Sequence, residues 1–186
     1  MNVVQPIRDP YTIEGIKAYL KLRSMRNYLF FCMGIYSGLR VSDLRTLRIG
    51  MVRGTHVGLV EKKNHNRKRF IIHPSIRNDL DGYIMDKKDK DFLFPSRQLK
   101  TKSRLRGQPF DRSTAYKMLH DAAEVFGLTD IGTHTMRKTW GYQLYKRDPH
   151  NLALLMDMYG HSDPTITLRY IGVTQDMMDA AILQLT

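Results

Sequence analysis

Apolar residues recur along this chain at helical spacing in several separate runs, each bounded by a residue suited to start or stop a helix. Asp9-Pro10 joins a capping carboxylate to a proline in the first turn, and Ile13, Ile16 and Leu20 then line one face. Over 25–37 the period continues through Leu29, Phe30, Met33 and Tyr36, until Gly38 ends the run. Asp111 caps a helix to about 126, with Tyr116, Leu119, Ala123 and Phe126 expected to face inward and Gly127 as its stop. A helix over 135–146 is expected to bury Trp140 and Leu144. Asp148-Pro149 opens the next, over 151–159, and Gly160 closes it. Ser162-Asp163-Pro164 starts a short helix carrying Tyr170, and the chain finishes on an amphipathic helix over 175–185 with Met177, Met178, Ala181, Ile182 and Leu185.

Two stretches alternate instead. Residues 55–60 and 69–72 read as short strands joined by the polar segment 61–68, a β-hairpin with a very basic tip. Pro74-Ser75 then opens a helix to about 87, and Phe92-Leu93-Phe94-Pro95 forms a short apolar anchor. Between 97 and 109 the chain carries Arg97, Lys100, Lys102, Arg104 and Arg106 with almost no apolar residue, a connector able to order on a phosphate backbone or simply a flexible loop. The fold class is mainly α with one small antiparallel β-sheet (α+β), in one domain with no internal repeat and no long linker.

Charge narrows the partner. The 186 residues carry 30 Lys+Arg against 18 Asp+Glu, a net charge of +12, while 42% hydrophobic content supports a folded globule. A rigid surface with that excess points to a polyanion, first of all nucleic acid. The one cysteine, Cys32, sits in an apolar run, so an internal disulfide is excluded and a buried structural role expected. The N-terminus lacks the basic and apolar regions of a secretory signal, and no stretch approaches the ~20 apolar residues that span a bilayer. A soluble, cytoplasmic protein is expected, with no membrane partner.

His134 and Arg137 stand three residues apart at the start of a helix and so share a face. An imidazole beside a bidentate guanidinium suits an anion passing through a highly charged transition state, although a salt-bridged helix surface is the plainer reading of such a pair alone. The surrounding segments change this. Ser37-Gly38-Leu39-Arg40-Val41-Ser42-Asp43-Leu44 lies upstream; Gly160-His161-Ser162 and Thr167-Leu168-Arg169-Tyr170 lie downstream. Taken by itself, Arg40 could equally cap a helix end, and Tyr170, like Tyr142, Tyr145 and Tyr159, could be a core tyrosine.

In this order the segments resemble the tyrosine recombinase (phage integrase) family, over nearly the whole chain from about Pro6. The resemblance implies a site-specific recombinase that cuts and rejoins double-stranded DNA through a covalent 3′-phosphotyrosine, for integration, excision or inversion. It implies Tyr170 as nucleophile, Arg40 and Arg137 on the non-bridging oxygens, His134 as proton acceptor, His161 on the phosphate, and Lys63 as general acid. Lys62 and Lys68 share that hairpin; Lys63 is chosen because it stands where the first strand gives way to the turn, as in similar hairpins. Lys62, Arg67, Lys68, Lys100, Lys102, Arg104, Arg106 and Arg112 are expected contacts to the DNA backbone. No cofactor is implied, and the histidines show no pairing that would make a metal site.

Similar recombinases work as tetramers, so a homotetramer on DNA is expected, with DNA-bending accessory proteins as further candidates. The C-terminal helix would pack on a neighbouring subunit or fold back on its own core. The chain begins at what resembles the catalytic domain, without the N-terminal core-binding domain of many integrases; it is similar to the short single-domain members, or to a fragment of a longer parent. Two other readings stay open: a type IB topoisomerase-like or telomere-resolving activity, and a non-catalytic DNA-binding regulator. In each, grip on DNA rests on charge, so binding is expected to weaken steeply with salt. An affinity in fluorescence anisotropy that barely changes between low and physiological salt would contradict this.

Overall fold

The computed structural model describes residues 4–60, 67–97 and 107–185. Lys62, Lys63, Lys100, Lys102, Arg104 and Arg106 lie outside the described residues.

Helix α1, Pro10–Arg23, is capped by the Asp9 carboxylate on the backbone N–H groups of Tyr11 and Thr12. Helix α2, Met25–Ser37, follows directly, with Leu29 through Met33 all buried. A short α3, Val41–Leu44, leads to the hairpin of β1, His56–Val60, and β2, Arg67–Ile71, antiparallel with Val57 opposite Phe70. Then come α4, Arg77–Ile84, and α5, Arg112–Val125. Helix α6, Thr135–Arg147, is followed by α7, Leu152–Tyr159, α8, Pro164–Ile171, and α9, Val173–Leu183.

The largest body of buried apolar residues gathers around α2, with side chains from α1, α4, α5 and the hairpin. Phe30 at its centre meets Phe94 and Phe110 edge-on, with ring centres 5.1 and 4.6 Å away, so the Phe94 anchor does bind the connector's flanks to α2. Among the described residues a second, smaller cluster holds Trp140, Tyr142, Leu155, Tyr159, Ile171 and Val173. Helix α6 joins the two: Met136 belongs to the first and Trp140 to the second.

Three local expectations need correction. Tyr116 is 47% exposed; α5 buries Ala115, Met118, Leu119, Ala122 and Ala123, one residue round from the expected face, because small side chains let it approach the core. Strand β2 begins at Arg67, earlier than expected, since charged side chains on the outward face of a half-exposed hairpin leave its pairing intact. The segment after Pro74 starts as a separate 3₁₀ turn, Pro74–Ile76, and α4 ends at Ile84. In α9 only Val173 is buried; Met177, Met178 and Ile182 on the helix and Leu185 just beyond it are exposed.

Gly38 closes α2 in the left-handed region at φ 63°, and an added Cβ would collide with the Trp140 ring. Both the backbone and the packing therefore require glycine where the chain turns toward Arg40. Gly38→Ala is expected to cost roughly 2–4 kcal/mol. In calorimetry that is a fall of about 4 °C or more for a chain of this size; a change under about 2 °C would show that the ring and the turn relax freely.

Candidate active site

Each polar side chain of the central cleft leaves a defined helix end or helix face. Leu39, 3% exposed, pins the turn after Gly38, and Arg40 follows in extended conformation as the N-cap of α3. His134 occupies the same position at the start of α6, and Arg137 lies one turn further on. Gly160 ends α7 at φ 73°, reversing the chain so that His161 returns toward the cleft. Asp163 and Pro164 start α8, whose last turn carries Tyr170.

Arg40, His134, Arg137, Tyr159, Gly160, His161 and Tyr170 line one cleft of about 300 Å³. The Tyr170 hydroxyl stands 3.3 Å from His134 Nδ1. His161 Nδ1 stands 3.0 Å from Thr167 Oγ1, which fixes its ring against α8. Arg137 is 5% exposed; it donates to the Gly38 carbonyl and, at 3.1 Å, to the Met158 carbonyl, so it ties the ends of α2 and α7 to α6.

Tyr159, a buried core tyrosine, organises the floor. Its ring lies 4.6 Å beneath the Arg137 guanidinium and meets Tyr170 edge-on at 4.9 Å, while its hydroxyl donates to the Arg137 carbonyl at 2.8 Å. Gly141 makes room for that hydroxyl, where a Cβ would overlap it. Sequence patterning finds Tyr159 only as core; its part in placing Arg137 and Tyr170 depends on a contact between helices.

Among the described residues that line the cleft, the charged side chains are the guanidiniums of Arg40 and Arg137. Burial holds the His134 pKa below its ordinary 6.5, and Arg112, Arg137, Lys138 and Arg40 add to the effect. His161 is lowered by burial and then by Arg137 and Arg40. Tyr170 moves upward through burial, opposed by Arg137 and Arg40. At neutral pH the cleft thus offers neutral imidazoles, fixed guanidiniums and a protonated phenol. An imidazole in that state can accept the phenol's proton, while the guanidiniums hold an anion.

A neighbouring hollow of about 450 Å³ shares Arg40 and His134 and adds Ser42, Arg45, Arg112 and Thr133. Arg112 is steadied there by Thr133 at 3.3 Å. Arg67 is exposed on β2, whereas Lys68 turns its ammonium to the Asp157 carbonyl at 3.5 Å with its carboxylate 3.9 Å away. Arg97 donates to the Ser24 hydroxyl at 3.0 Å. Lys62, Lys63 and the connector cations Lys100, Lys102, Arg104 and Arg106 fall outside the described residues. Among the described residues no group of three His, Cys, Asp or Glu could hold a metal ion, and no helix is long and apolar enough to cross a membrane.

Arg40, His134, Arg137, His161 and Tyr170, drawn from distant parts of the sequence, therefore meet in one cleft, and known proteins bear on what that means. The sequence model of the phage integrase family matches residues 10–177. A Bacillus subtilis (strain 168) protein named "Probable integrase/recombinase YoeC" is 38% identical over 182 residues, covering 97% of this chain and 96% of that protein. Among solved structures, XerA recombinase superposes with a TM-score of 0.72 at 19% identity, covering 97% of this chain and 63% of that one. XerH site-specific recombinase in a post-cleavage complex with palindromic difH substrate gives 0.70 at 18% identity, covering 96% and 53%. This chain thus spans between half and two thirds of those two solved chains, and they share its mainly helical fold with the small antiparallel sheet. Matched by the family model along most of its length and by a relative of nearly equal extent, the chain belongs to the phage integrase family.

Proposed function

We propose that this protein is a site-specific DNA recombinase acting through a covalent 3′-phosphotyrosine, with Tyr170 as nucleophile. One observation carries the reading: the Tyr170 phenol stands 3.3 Å from the His134 imidazole in a cleft it shares with Arg40, Arg137 and His161. Family membership and the DNA-bound recombinase among the structural neighbours support it.

In the proposed step the scissile phosphate enters the cleft with its non-bridging oxygens on Arg40 and Arg137, and His161 adds a hydrogen bond. The planar guanidinium fork matches those oxygens, and the charge it supplies offsets the negative charge that grows in the phosphorane. His134 takes the phenolic proton as the Tyr170 oxygen bonds to phosphorus. The bond to the 5′-oxygen breaks, and that oxygen leaves as a hydroxyl with a proton from Lys63. The phosphotyrosine conserves the energy of the phosphodiester, so attack by another DNA 5′-hydroxyl reverses the step on the same or a second duplex.

The wider assembly belongs to the same proposal. The chain acts as one catalytic domain, as a homotetramer on double-stranded DNA in the cytoplasm, with bending proteins as possible accessories. The exposed Met177, Met178 and Ile182 of α9, with Leu185 just beyond it, favour packing of that helix on a neighbouring subunit. Arg67, Arg112 and the basic residues of the hairpin tip and connector would bind flanking phosphates.

Two measurements test the chemistry. A pool of nicked duplexes with randomised centres should yield an SDS-resistant protein–DNA adduct with the wild type and none with Tyr170→Phe; an undiminished adduct in the variant, or DNA binding without any adduct, would refute the proposal. The second is a pH effect on the DNA-free protein. His134 and His161 titrate lower in the fold than in the unfolded chain, so the unfolded state binds more protons in the window below about pH 6.5. Stability should fall as pH drops through that window, with a shallower slope in His134→Gln measured by urea denaturation. Equal slopes would mean that the cleft does not hold His134 neutral.

A further inference from the structure

Residues 4–8 form a strap that runs along one side of α6. Thr135 donates to the Gln5 carbonyl at 3.1 Å, and the Ile7 N–H donates to Thr139 at 2.9 Å. Gln143 reaches the carbonyls of Ile7 and Arg8 at 3.1 and 2.8 Å. Lys138 donates to the Val4 carbonyl at 2.7 Å. These side chains recur at three- and four-residue intervals, one helical face given over to the strap. His134, Arg137 and Gly141 occupy a second face, toward the cleft. Lys138 falls at the boundary between the two.

That place gives Lys138 a second contact. Its ammonium lies 5.1 Å from the centre of the Tyr170 ring, within reach of a cation–π attraction. The ring also meets Tyr159 at 4.9 Å and His161 at 5.7 Å, both edge-on. Burial lowers the Lys138 pKa, Arg8 adding to it, which marks the ammonium as partly stripped of water and its ring contact as correspondingly stronger. The far end of the strap bears on the same helix. Pro6 and Arg8 lie against Gly172, where α8 passes into α9, and Arg8 pairs with Asp176 at 2.8 Å, an aspartate that also accepts from Tyr142 at 2.7 Å.

We propose that Lys138, held on the Val4 carbonyl, is a positioning residue that keeps the Tyr170 phenol at His134, and that the strap thereby sets the geometry of the nucleophile. The inference rests on the reading of Tyr170 as nucleophile. Lys138 moves no proton and touches no phosphate in this scheme; it restrains a ring that would otherwise swing on its χ1 and χ2 torsions.

The test is single-turnover adduct formation on a nicked duplex recovered from the randomised pool, with DNA affinity measured separately by anisotropy. Lys138→Met should lower the rate at saturating DNA about ten-fold, the size of one partly desolvated cation–π contact, and leave the Kd within about three-fold. Lys138→Gln keeps a donor for the Val4 carbonyl and loses the cation; it should show the same slowing, and it decides the matter if the Met variant does not fold. Lys138→Arg should recover much of the rate. Wild-type rates at saturating DNA in both neutral variants that fold, whatever their Kd or melting point, would overturn the proposal. So would a weaker Kd as the whole effect, which would make Lys138 a phosphate contact. Absence of adduct in the wild type would refute the nucleophile assignment itself, a separate result.

Discussion

The burial of the Arg137 guanidinium is the constraint on which the site depends. A cation at this depth is unfavourable by several kcal/mol unless polar groups replace its water. The replacements here include two backbone carbonyls, those of Gly38 and Met158, at the C-terminal ends of α2 and α7. Such ends carry about half a negative charge each, enough to hold a guanidinium while leaving its field open to an incoming anion. The Tyr159 ring, 4.6 Å beneath it, adds a cation–π contact. Three helices are thus brought to one point by one side chain; Arg40 and His161 leave the chain just beyond the ends of α2 and α7, and Tyr170 joins them from the last turn of α8.

Function follows from how little must move. The phenol already stands beside His134, and neutral imidazoles stand among guanidiniums, an arrangement suited to receive a phosphate. Burial favours the protonated phenol of Tyr170, the resting state that the proposed nucleophile would hold before a substrate arrives. Arg45 and Arg112 extend the positive surface from Arg40 into the neighbouring hollow, a direction in which a phosphate backbone can continue.

The helices were legible because their ends are written in residue types with a mechanism. Asp9, Asp111 and Asp163 each cap the helix expected of them, and Gly38 and Gly160 end theirs in left-handed conformation. Periodicity was weaker where small residues compete: in α5 the alanines, not Tyr116, set the inward face. The convergence of Arg40, His134, Arg137, His161 and Tyr170 on one cleft could not be read from spacing, since the five come from far-apart parts of the chain; family resemblance supplied it. The strap and Lys138 had no signal at all, because residues 4–8 show no period and meet α6 largely through their own backbone groups. The roles of Lys62, Lys63 and the connector cations fall on residues outside those described.

The central claim is that one chain builds the anion pocket and supplies the phenol that enters it. Mixing subunits tests this most directly: Tyr170→Phe protein, with an intact pocket, is combined with Arg137→Ala protein, with an intact phenol, on the captured nicked duplex. The account predicts no adduct from the mixture, as from either variant alone. Restored adduct in the mixture would show that the tyrosine is delivered from one subunit to the pocket of another, and would contradict it.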